Sequence, residues 1–441
     1  ISDPMSAPYV RNLSSRLPSR FWLCILIGLL LALQIFLRNK NLLNVNFDGW
    51  SYWEGASALS AGKGYVDLFG RPILAFPPLF SFYLSLFARE GQLTLGAIKS
   101  SFVVLAFLDG FVWAWLAFHV FAGARAVSRW LAISMPLLLF PVYFDMVLSE
   151  PLWLFLVGIL LNILVLESRS PLRFLLIGFF LSLCLLTRNV SVALLPALPV
   201  LVLPIHGRSD SLRVFFASFA GFIPWLAFRS ASGSDHSHRF GFDLPDLGSD
   251  LLNSLIAMGR DFTFSRLLVG SLLFASLIIL CLLFLSRYPA LRLTVVGSQA
   301  SGWIGFSIIL FLSTVMVSHL TMVGAAQTRF YLIAFAAGFY GILLTASLLS
   351  PWSSQVAISL LVLLFVSSAV YRNGFFLATK LALPAADDRF FLSRPWLDQI
   401  HQHVQVSMQH GQSLEQALDP YPISVLRYKH WMGIPYPLQS H

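Results

Sequence analysis

Four ionisable residues, spread along the chain, are of types that could act together on a phosphate. They stand at or near the ends of long apolar runs and are Asp48, Glu150, Arg188 and Arg329. Two guanidinium groups can hold a phosphate between them, and a carboxylate beside it can accept a proton. A charged side chain at a helix end can equally anchor the helix at a membrane interface. The four residues therefore predict a phosphate-handling site provided that the fold brings them to one face.

The stretch around Asp48 holds the most candidate residues. It reads NFDGWSYWEGASALSAGKGY from position 46 to 65. If this stretch is helical, Asp48 and Tyr52 lie one turn apart on the same face. Trp50, Tyr52 and Glu54 are candidates for contacts to a sugar or to an acceptor. Tyr and Trp are also enriched at membrane interfaces without any ligand, so this second interpretation stays open.

Composition places the whole chain in a membrane. Of its 441 residues, 57% are hydrophobic and only 11% are charged, whereas about 25% of a soluble domain is charged. Many apolar runs are roughly 17 to 25 residues long, which suits helices that cross a bilayer and not barrel strands. The net charge of +9 comes from arginines scattered at segment ends, which indicates membrane topology and not nucleic-acid binding. The three cysteines, Cys24, Cys184 and Cys281, lie inside apolar runs and are interpreted as packing residues.

The apolar runs predict an all-α polytopic membrane protein with about eleven transmembrane helices. Residues 1–4 precede Met5 and are excluded as an expression scar. The first run lacks a small-residue cleavage site, so we expect it to remain as the first span. The predicted spans are 21–37, 100–121, 130–144, 151–166, 174–187, 190–205, 214–228, 266–286, 299–322, 330–349 and 356–370.

Arginines set the expected orientation and domain boundaries. Arg11, Arg16 and Arg20 precede the first span, which predicts a cytoplasmic N-terminus over 1–20. The transmembrane module is then 21–370, with an outer loop at 38–99, and 371–441 forms a small extracytoplasmic cap. Within the loop, 73–87 is rejected as a span because prolines interrupt it, and a juxtamembrane helix is expected instead. Most carboxylates then face outward, which predicts a polar cavity on the outer face. The expected location is a bacterial inner membrane.

Four motifs, taken in order, resemble those of one enzyme superfamily. They are the first outer loop, with Asp48, Tyr52 and Glu54 before PILAFPPLF; VLSEPLWLFLVGILL, with Glu150; GFFLSLCLLTRNVSVALLP, with Arg188; and HLTMVGAAQTRFYLIAF, with Arg329. This order resembles the C-type glycosyltransferase (GT-C) superfamily, a fold with juxtamembrane helices in the first outer loop. The most similar branch is that of the protein O-mannosyltransferases and the lipid A aminoarabinose transferase.

The resemblance implies a glycosyltransferase that takes a sugar from a polyprenyl-phosphate donor on the extracytoplasmic side. It implies that Asp48 is the general base for an acceptor hydroxyl on a lipid, glycan or protein, and that the anomeric centre inverts. Arg188 and Arg329 would bind the donor phosphate. Glu150 would orient the acceptor or, with Asp48, bind a divalent cation. Some members of the superfamily use such a cation (Mg, Mn or Zn) and others do not, so this point stays open.

The chain departs from the branch at two places. The branch often has an acidic pair in the first loop, whereas Gly49 follows Asp48 here, so the role of a second acid is lost or passes to Glu54. The lysine that the branch carries near its proline pair has no clear counterpart. Lys63 or Arg71 would have to substitute for it as a phosphate ligand.

Two alternatives remain from the sequence. A transporter or flippase of a lipid-linked glycan would show repeat symmetry, broken helices or charges at mid-membrane. Asp109 and His119 are the candidates for such charges, and no second half of the chain mirrors the first. A catalytically inactive scaffold on the same fold is the other alternative, and the carboxylates expected on the outer face argue against it.

Overall fold

The regular structure of the chain is helical. The computed structural model describes residues 17–40, 43, 47–67, 70, 72, 73, 76–89, 93–165, 170–231, 248–254, 269–320, 331–362, 369–371, 373, 374, 377, 378, 406, 407 and 409–411. Its helices are α1 (Leu17–Asn39), α2 (Phe47–Ser60), α3 (Leu79–Ser85), α4 (Leu95–Val120), α5 (Ala126–Leu139), α6 (Glu150–Val165), α7 (Pro171–Thr187), α8 (Leu194–His206), α9 (Arg208–Ala231), α10 (Val269–Arg287), α11 (Pro289–Arg292), α12 (Val295–Leu320), α13 (Leu332–Leu348) and α14 (Pro351–Leu361). Two 3-10 turns, Pro141–Phe144 and Asn189–Ala193, continue α5 and precede α8.

Six helical segments of the described chain are long and apolar enough to cross a membrane. They are Ser19–Asn39, Leu95–Val120, Ala126–Phe144, Asn189–His206, Arg208–Phe228 and Val295–His319. Four shorter apolar helices accompany them: Glu150–Val165, Pro171–Thr187, Phe274–Arg287 and Leu332–Leu348. A polytopic helical membrane protein is therefore confirmed. The count of eleven spans and the extracytoplasmic cap over 371–441 stay predictions.

Side-chain contacts show which helix ends lie together. At one end, the guanidinium of Arg38, in the last turn of α1, pairs with Asp145, which follows α5. At the opposite end, Arg20 lies 5.9 Å from the ring of Phe118, near the last turn of α4. There too, the Arg173 side chain donates to the Ile163 carbonyl at 3.0 Å. We call these the Asp48 end and the Arg20 end. Which of them faces outward stays a prediction.

The loop between α1 and α4 folds over the Asp48 end as two short helices. α2 packs on α3, and the Trp53 indole donates to the Leu93 carbonyl at 2.9 Å, which fixes α2 beside the start of α4. The Tyr83 hydroxyl on α3 donates to the Ser101 carbonyl at 2.8 Å. Because α3 has seven residues, it is far shorter than the roughly 20 residues of a transmembrane helix. It begins just after Pro77 and Pro78, which suit a helix start.

Glycines allow α1 and α4 to cross in close contact. A Cβ on Gly110 would lie 2.8 Å from the Gly28 Cα and 3.0 Å from the Ile27 carbonyl oxygen. A Cβ on Gly28 would lie 2.6 Å from the Phe107 carbonyl oxygen. Small residues at such crossings let helix backbones approach closely in a membrane, where packing drives association.

Gly110→Leu is expected to destabilise the protein by at least 1 to 3 kcal/mol, about the cost of an overpacked core, because the neighbouring backbone cannot move aside easily. The measurement is the thermal unfolding midpoint in detergent. Gly96→Leu, in the first turn of the same helix, is the control, since the nearest atom to its Cβ is Thr94 Oγ1 at 3.9 Å. Equal midpoints for the two variants would contradict the close crossing.

Candidate functional site

Asp48 and Tyr52 occupy the first turns of α2, on one face as predicted. Asp48 lies in the first turn and is half-buried. A carboxylate there is favoured because the helix N-terminus carries partial positive charge. Tyr52 is buried, and its ring packs edge-on against Phe76 and Phe80, with centroids 5.3 and 5.0 Å away. α2 therefore carries the carboxylate at a partly open position and the phenol at a closed one.

Glu150 and Arg188 form a buried ion pair between two helices. Glu150 begins α6, and Arg188 follows the last residue of α7 in extended conformation. An Arg188 terminal nitrogen contacts Glu150 Oε1, and the two side chains are 9% and 1% exposed. Two charges this far from water are stable only when each is compensated. Glu150 therefore fixes the position of Arg188 and cancels much of its charge.

A second set of contacts fixes Arg188 from the other side. Its guanidinium carbon lies 5.9 Å from the ring centroid of Trp153. The Trp153 indole donates to Ser191 Oγ at 2.8 Å, and Ser191 Oγ donates to the Cys184 carbonyl at 2.8 Å. That same carbonyl accepts the Arg188 backbone N–H at 2.9 Å. The arginine is thus held between α6 and the turn that joins α7 to α8.

The Tyr52 hydroxyl links the two halves of the site. It donates to Ser149 Oγ at 3.1 Å, and Ser149 directly precedes Glu150. Burial raises the pKa of the Tyr52 phenol and Asp48 raises it further, Arg188 and the hydrogen bond to Ser149 lower it, and Glu150 raises it. Three charges from three parts of the chain therefore act on one hydroxyl. Because its pKa lies above the ordinary value, the phenol stays neutral and can donate a hydrogen bond at pH 7.

The remaining predicted residues have different environments. Glu54 is buried, at 2% exposure, on the third turn of α2. Tyr52 is only 4% exposed, which leaves little surface for a sugar to stack on. Lys63 is exposed in the turn after α2, between Gly62 and Gly64, whose positive φ angles end the helix. Three other predictions, the side chain of Trp50 and residues Arg71 and Arg329, lie outside the described residues.

The described part of the site does not offer a ligand set for a divalent cation. Among the residues that the structure describes, no group of three or more His, Cys, Asp or Glu side chains could hold a metal ion. Glu150, one of the two predicted ligands, is paired with Arg188. A guanidinium at that position would repel a cation electrostatically. No step of the chemistry below is therefore assigned to a metal.

One buried ion pair was not predicted. Arg38 Nε donates to Asp145 Oδ1 at 3.0 Å, and a terminal nitrogen of Arg38 contacts Oδ2, so the pair is bidentate. The Arg38 guanidinium also lies 3.4 Å from the Asn373 carbonyl. The sequence signal was available, because an arginine just after the first span conflicts with the predicted orientation. A buried counterion resolves that conflict.

Asp145→Asn is expected to lower stability by about 3 to 5 kcal/mol, since it leaves the Arg38 charge buried without its carboxylate. The thermal unfolding midpoint in detergent measures the loss. Lys40→Met removes a nearby exposed charge, and we expect it to change stability by no more than about 0.5 kcal/mol. A midpoint for Asp145→Asn that equals the wild-type value would show that the pair contributes nothing.

A second unpredicted cluster lies at the end of α12. His319 Nδ1 lies 2.8 Å from Asp250 Oδ2, on the helical segment 248–254. Ser254, one turn further on, shares a 2.6 Å hydrogen bond with the Tyr331 hydroxyl. Two contacts from one face thus hold this segment against the ends of α12 and α13. No spacing rule connects Asp250 with His319, 69 positions away in the chain, so the sequence does not predict this contact.

Asp109 is the one carboxylate within α4, and it is fully buried. Neither of its oxygens has a hydrogen-bond partner within the described part of the chain. His119, the other mid-membrane candidate, lies near the end of α4, with Nδ1 2.9 Å from the Trp115 carbonyl. Asp109 therefore matches the expectation for a membrane-embedded functional acid more closely than His119 does.

The chain was compared with known proteins, and no family model, no curated protein and no solved structure matches it.

Proposed function

We propose that the protein is a membrane glycosyltransferase that moves a sugar from a polyprenyl-phosphate donor to an acceptor hydroxyl. The observation that carries the proposal is the buried ion pair of Glu150 with Arg188, beside which the Tyr52 hydroxyl contacts Ser149 one helical turn from Asp48. The sequence motifs that resemble those of the GT-C superfamily contain the same three charged residues. A glycosyl transfer from a lipid phosphate needs a proton acceptor and a cation for the leaving group, and these residues supply both.

In the proposed reaction, Asp48 accepts the proton of the acceptor hydroxyl. The acceptor oxygen forms a bond to the anomeric carbon while the bond from that carbon to the phosphate oxygen breaks, so the configuration inverts. The polyprenyl phosphate leaves as an anion next to Arg188. Glu150 keeps the guanidinium in place before the donor binds. Tyr52 stays neutral and offers a hydrogen bond beside the carboxylate.

Glu150 also limits what Arg188 can do alone. The buried pair is close to neutral, so a bound phosphate would bring an excess negative charge into the site. A second cation is therefore required for tight donor binding, and Arg329 is the predicted source. The proposal places the active site on the extracytoplasmic side, where lipid-linked sugars replace nucleotide sugars as donors.

The test is a comparison of lipids and glycans from cells with and without the gene. We expect one class of lipid, glycan or protein to lose a mass equal to a sugar residue in the deletion strain. A plasmid carrying the wild-type gene restores that mass, and a plasmid carrying Asp48→Asn does not, although the protein level is equal. Restoration by Asp48→Asn would remove Asp48 as the base, and no lost sugar mass in any class would contradict the proposed transfer.

A transporter or flippase of a lipid-linked glycan is the second candidate, favoured by the buried carboxylate of Asp109 in α4. Such a carboxylate within a membrane span commonly takes part in proton or substrate movement. The discriminating variants are Asp48→Asn and Asp109→Asn, assayed in liposomes with a fluorescent polyprenyl-phosphate sugar. A transporter would lose movement of the lipid with Asp109→Asn and keep it with Asp48→Asn. A transferase would show no movement dependent on Asp109.

A further inference from the structure

An apolar groove runs between α7 and α9. Its volume is about 680 Å³, and three aromatic rings line its sides, those of Phe174, Phe179 and Phe216. Phe179 and Phe216 are 54% and 67% exposed on the helix surface. In a chain that crosses a membrane, such a surface faces lipid hydrocarbon.

The floor of the groove is a fixed helix crossing. A Cβ on Gly178 would lie 2.9 Å from the Ala217 carbonyl oxygen, and a Cβ on Gly221 would collide with the Gly178 carbonyl. Ser182 Oγ lies 2.6 Å from the Gly221 carbonyl and 3.0 Å from the Gly178 carbonyl. These contacts hold the backbones of α7 and α9 together and leave no side chains to fill the space above them. The groove therefore lies over a close helix crossing.

One end of the groove is positively charged. Arg213, in the second turn of α9, lines the groove, and its guanidinium lies 5.7 Å from the ring centroid of Phe174. Asp210 is near two arginines, at 3.4 Å from Arg213 and 3.6 Å from Arg173. The Arg173 side chain is buried and its charge offsets that of Asp210, whereas the Arg213 side chain is 54% exposed. The mouth of the groove thus keeps a net positive charge that solvent and headgroups can reach.

We propose that this groove binds one anionic phospholipid of the surrounding membrane. An acyl chain lies on the glycine floor between the phenylalanine rings, and the phosphate lies at Arg213. Burial of the chain against aromatic side chains provides the non-directional part of the affinity. The fork of the guanidinium, which matches phosphate oxygens, provides the preference for an anionic headgroup. Basic pockets between transmembrane helices bind anionic lipids in this way.

The site lies at the Arg20 end, whereas the candidate active site lies at the Asp48 end. Arg213 lies in the second turn of α9, at the Arg20 end. The later part of α9 approaches the Asp48 end, where the Trp225 indole donates to the Asn189 side chain at 3.0 Å. The lipid proposed here is therefore not the sugar donor. It would stabilise the α7–α9 pair, whichever reaction the protein performs.

The first experiment measures lipid preference. Full-length protein purified in mild detergent is incubated with equal amounts of phosphatidylglycerol and phosphatidylcholine of identical acyl chains, and bound lipid is counted by native mass spectrometry. We expect a preference of about tenfold for phosphatidylglycerol, the effect of one charge-assisted contact, and its loss in Arg213→Gln. Arg208→Gln is the matched control, because Arg208 is exposed at the same helix end and does not line the groove. No preference in the wild type, or an equal loss in both variants, would overturn the proposal.

The second experiment tests the apolar part. Ala220→Trp fills the groove, which Ala220 lines, and is expected to reduce retention of both lipids. Ile223 is exposed one turn further along α9 and does not line the groove. Ile223→Trp adds a side chain of the same size there and should leave the retention of both lipids unchanged. Retention that survives Ala220→Trp would contradict the assignment. A protein dimer that dissociates on Ala220→Trp would instead identify a second copy of the chain as the occupant.

Discussion

Asp48→Asn is expected to reduce sugar transfer by about 10²- to 10⁴-fold, the contribution of a positioned general base. Asn has nearly the same shape as Asp, so the first turn of α2 should form as before, but its amide cannot accept the proton of the acceptor hydroxyl. Transfer from a radiolabelled polyprenyl-phosphate sugar, measured in liposomes, gives the rate. Donor binding, measured in the same liposomes, should persist, because Asp48 acts on the acceptor and not on the phosphate.

Asp67→Asn is the control for this result. Asp67 lies after α2, beyond the glycine turn. Its substitution by Asn removes the same charge from the same loop as Asp48→Asn does. Its rate should stay within about twofold of the wild-type rate, an effect under 0.5 kcal/mol. Turnover by Asp48→Asn at the wild-type rate would exclude Asp48 as the base, and another acceptor of the proton, such as Glu54, would then have to be tested.

Glu150→Gln is expected to destabilise the protein by about 3 to 5 kcal/mol, because it leaves the Arg188 charge buried without its counterion. The double variant Glu150→Leu with Arg188→Met replaces both charges by apolar side chains. We expect it to recover most of the lost stability, since such replacements are often neutral or stabilising. The same double variant should nevertheless fail to bind donor, because the cation for the phosphate is gone. Thermal unfolding in detergent and donor binding in liposomes separate the two effects.

An exposed ion pair provides the comparison for these variants. Arg213 and Asp210 lie 3.4 Å apart, with the Arg213 side chain 54% exposed, so Arg213→Gln should cost less than about 1 kcal/mol. Wild-type stability in Glu150→Gln would mean that the buried pair does not carry full charges. Donor binding by the stable double variant would exclude Arg188 as the phosphate ligand.

Hydropathy predicted the positions of the helices well but shortened several of them. The apolar runs predicted at 214–228, 266–286 and 299–322 reappear as the helices α9, α10 and α12. However, α4 begins at Leu95 and not at 100, and α9 begins at Arg208 and not at 214. The turns added to α9 are polar, so a hydropathy argument omits them, whereas the turn added to α4 holds Leu95 and Ile98 and ends at Lys99, next to the predicted start of the span. The Thr94 hydroxyl accepts the Ala97 N–H at 3.1 Å, which caps α4 and stabilises its first turn. Capping residues in the sequence could have supplied these boundaries.

The candidate site was predicted in part, for reasons that differ between its residues. Helical spacing alone places Asp48 and Tyr52 on one face. The pairing of Glu150 with Arg188 joins two helices, and no periodicity within one helix can predict it; only the shared helix end suggested that they are close. The contact of Tyr52 with Ser149 depends on how α2 folds back over the bundle. The pair of Arg38 with Asp145 joins residues 107 positions apart, so helical spacing cannot predict it.

The buried contact between Arg38 and Asp145 also bears on how the protein is made. The two residues are 107 positions apart in the chain. A ribosome that adds roughly 5 to 20 residues per second needs about 5 to 20 s to synthesise that interval. During this time the first helix has left the exit tunnel with a cation that lacks its final partner. The contact between Arg38 and Asp145 can therefore form only after the third long helix, α5, has been synthesised, so the Asp48 end is completed later than the contacts of its loop with α4 allow.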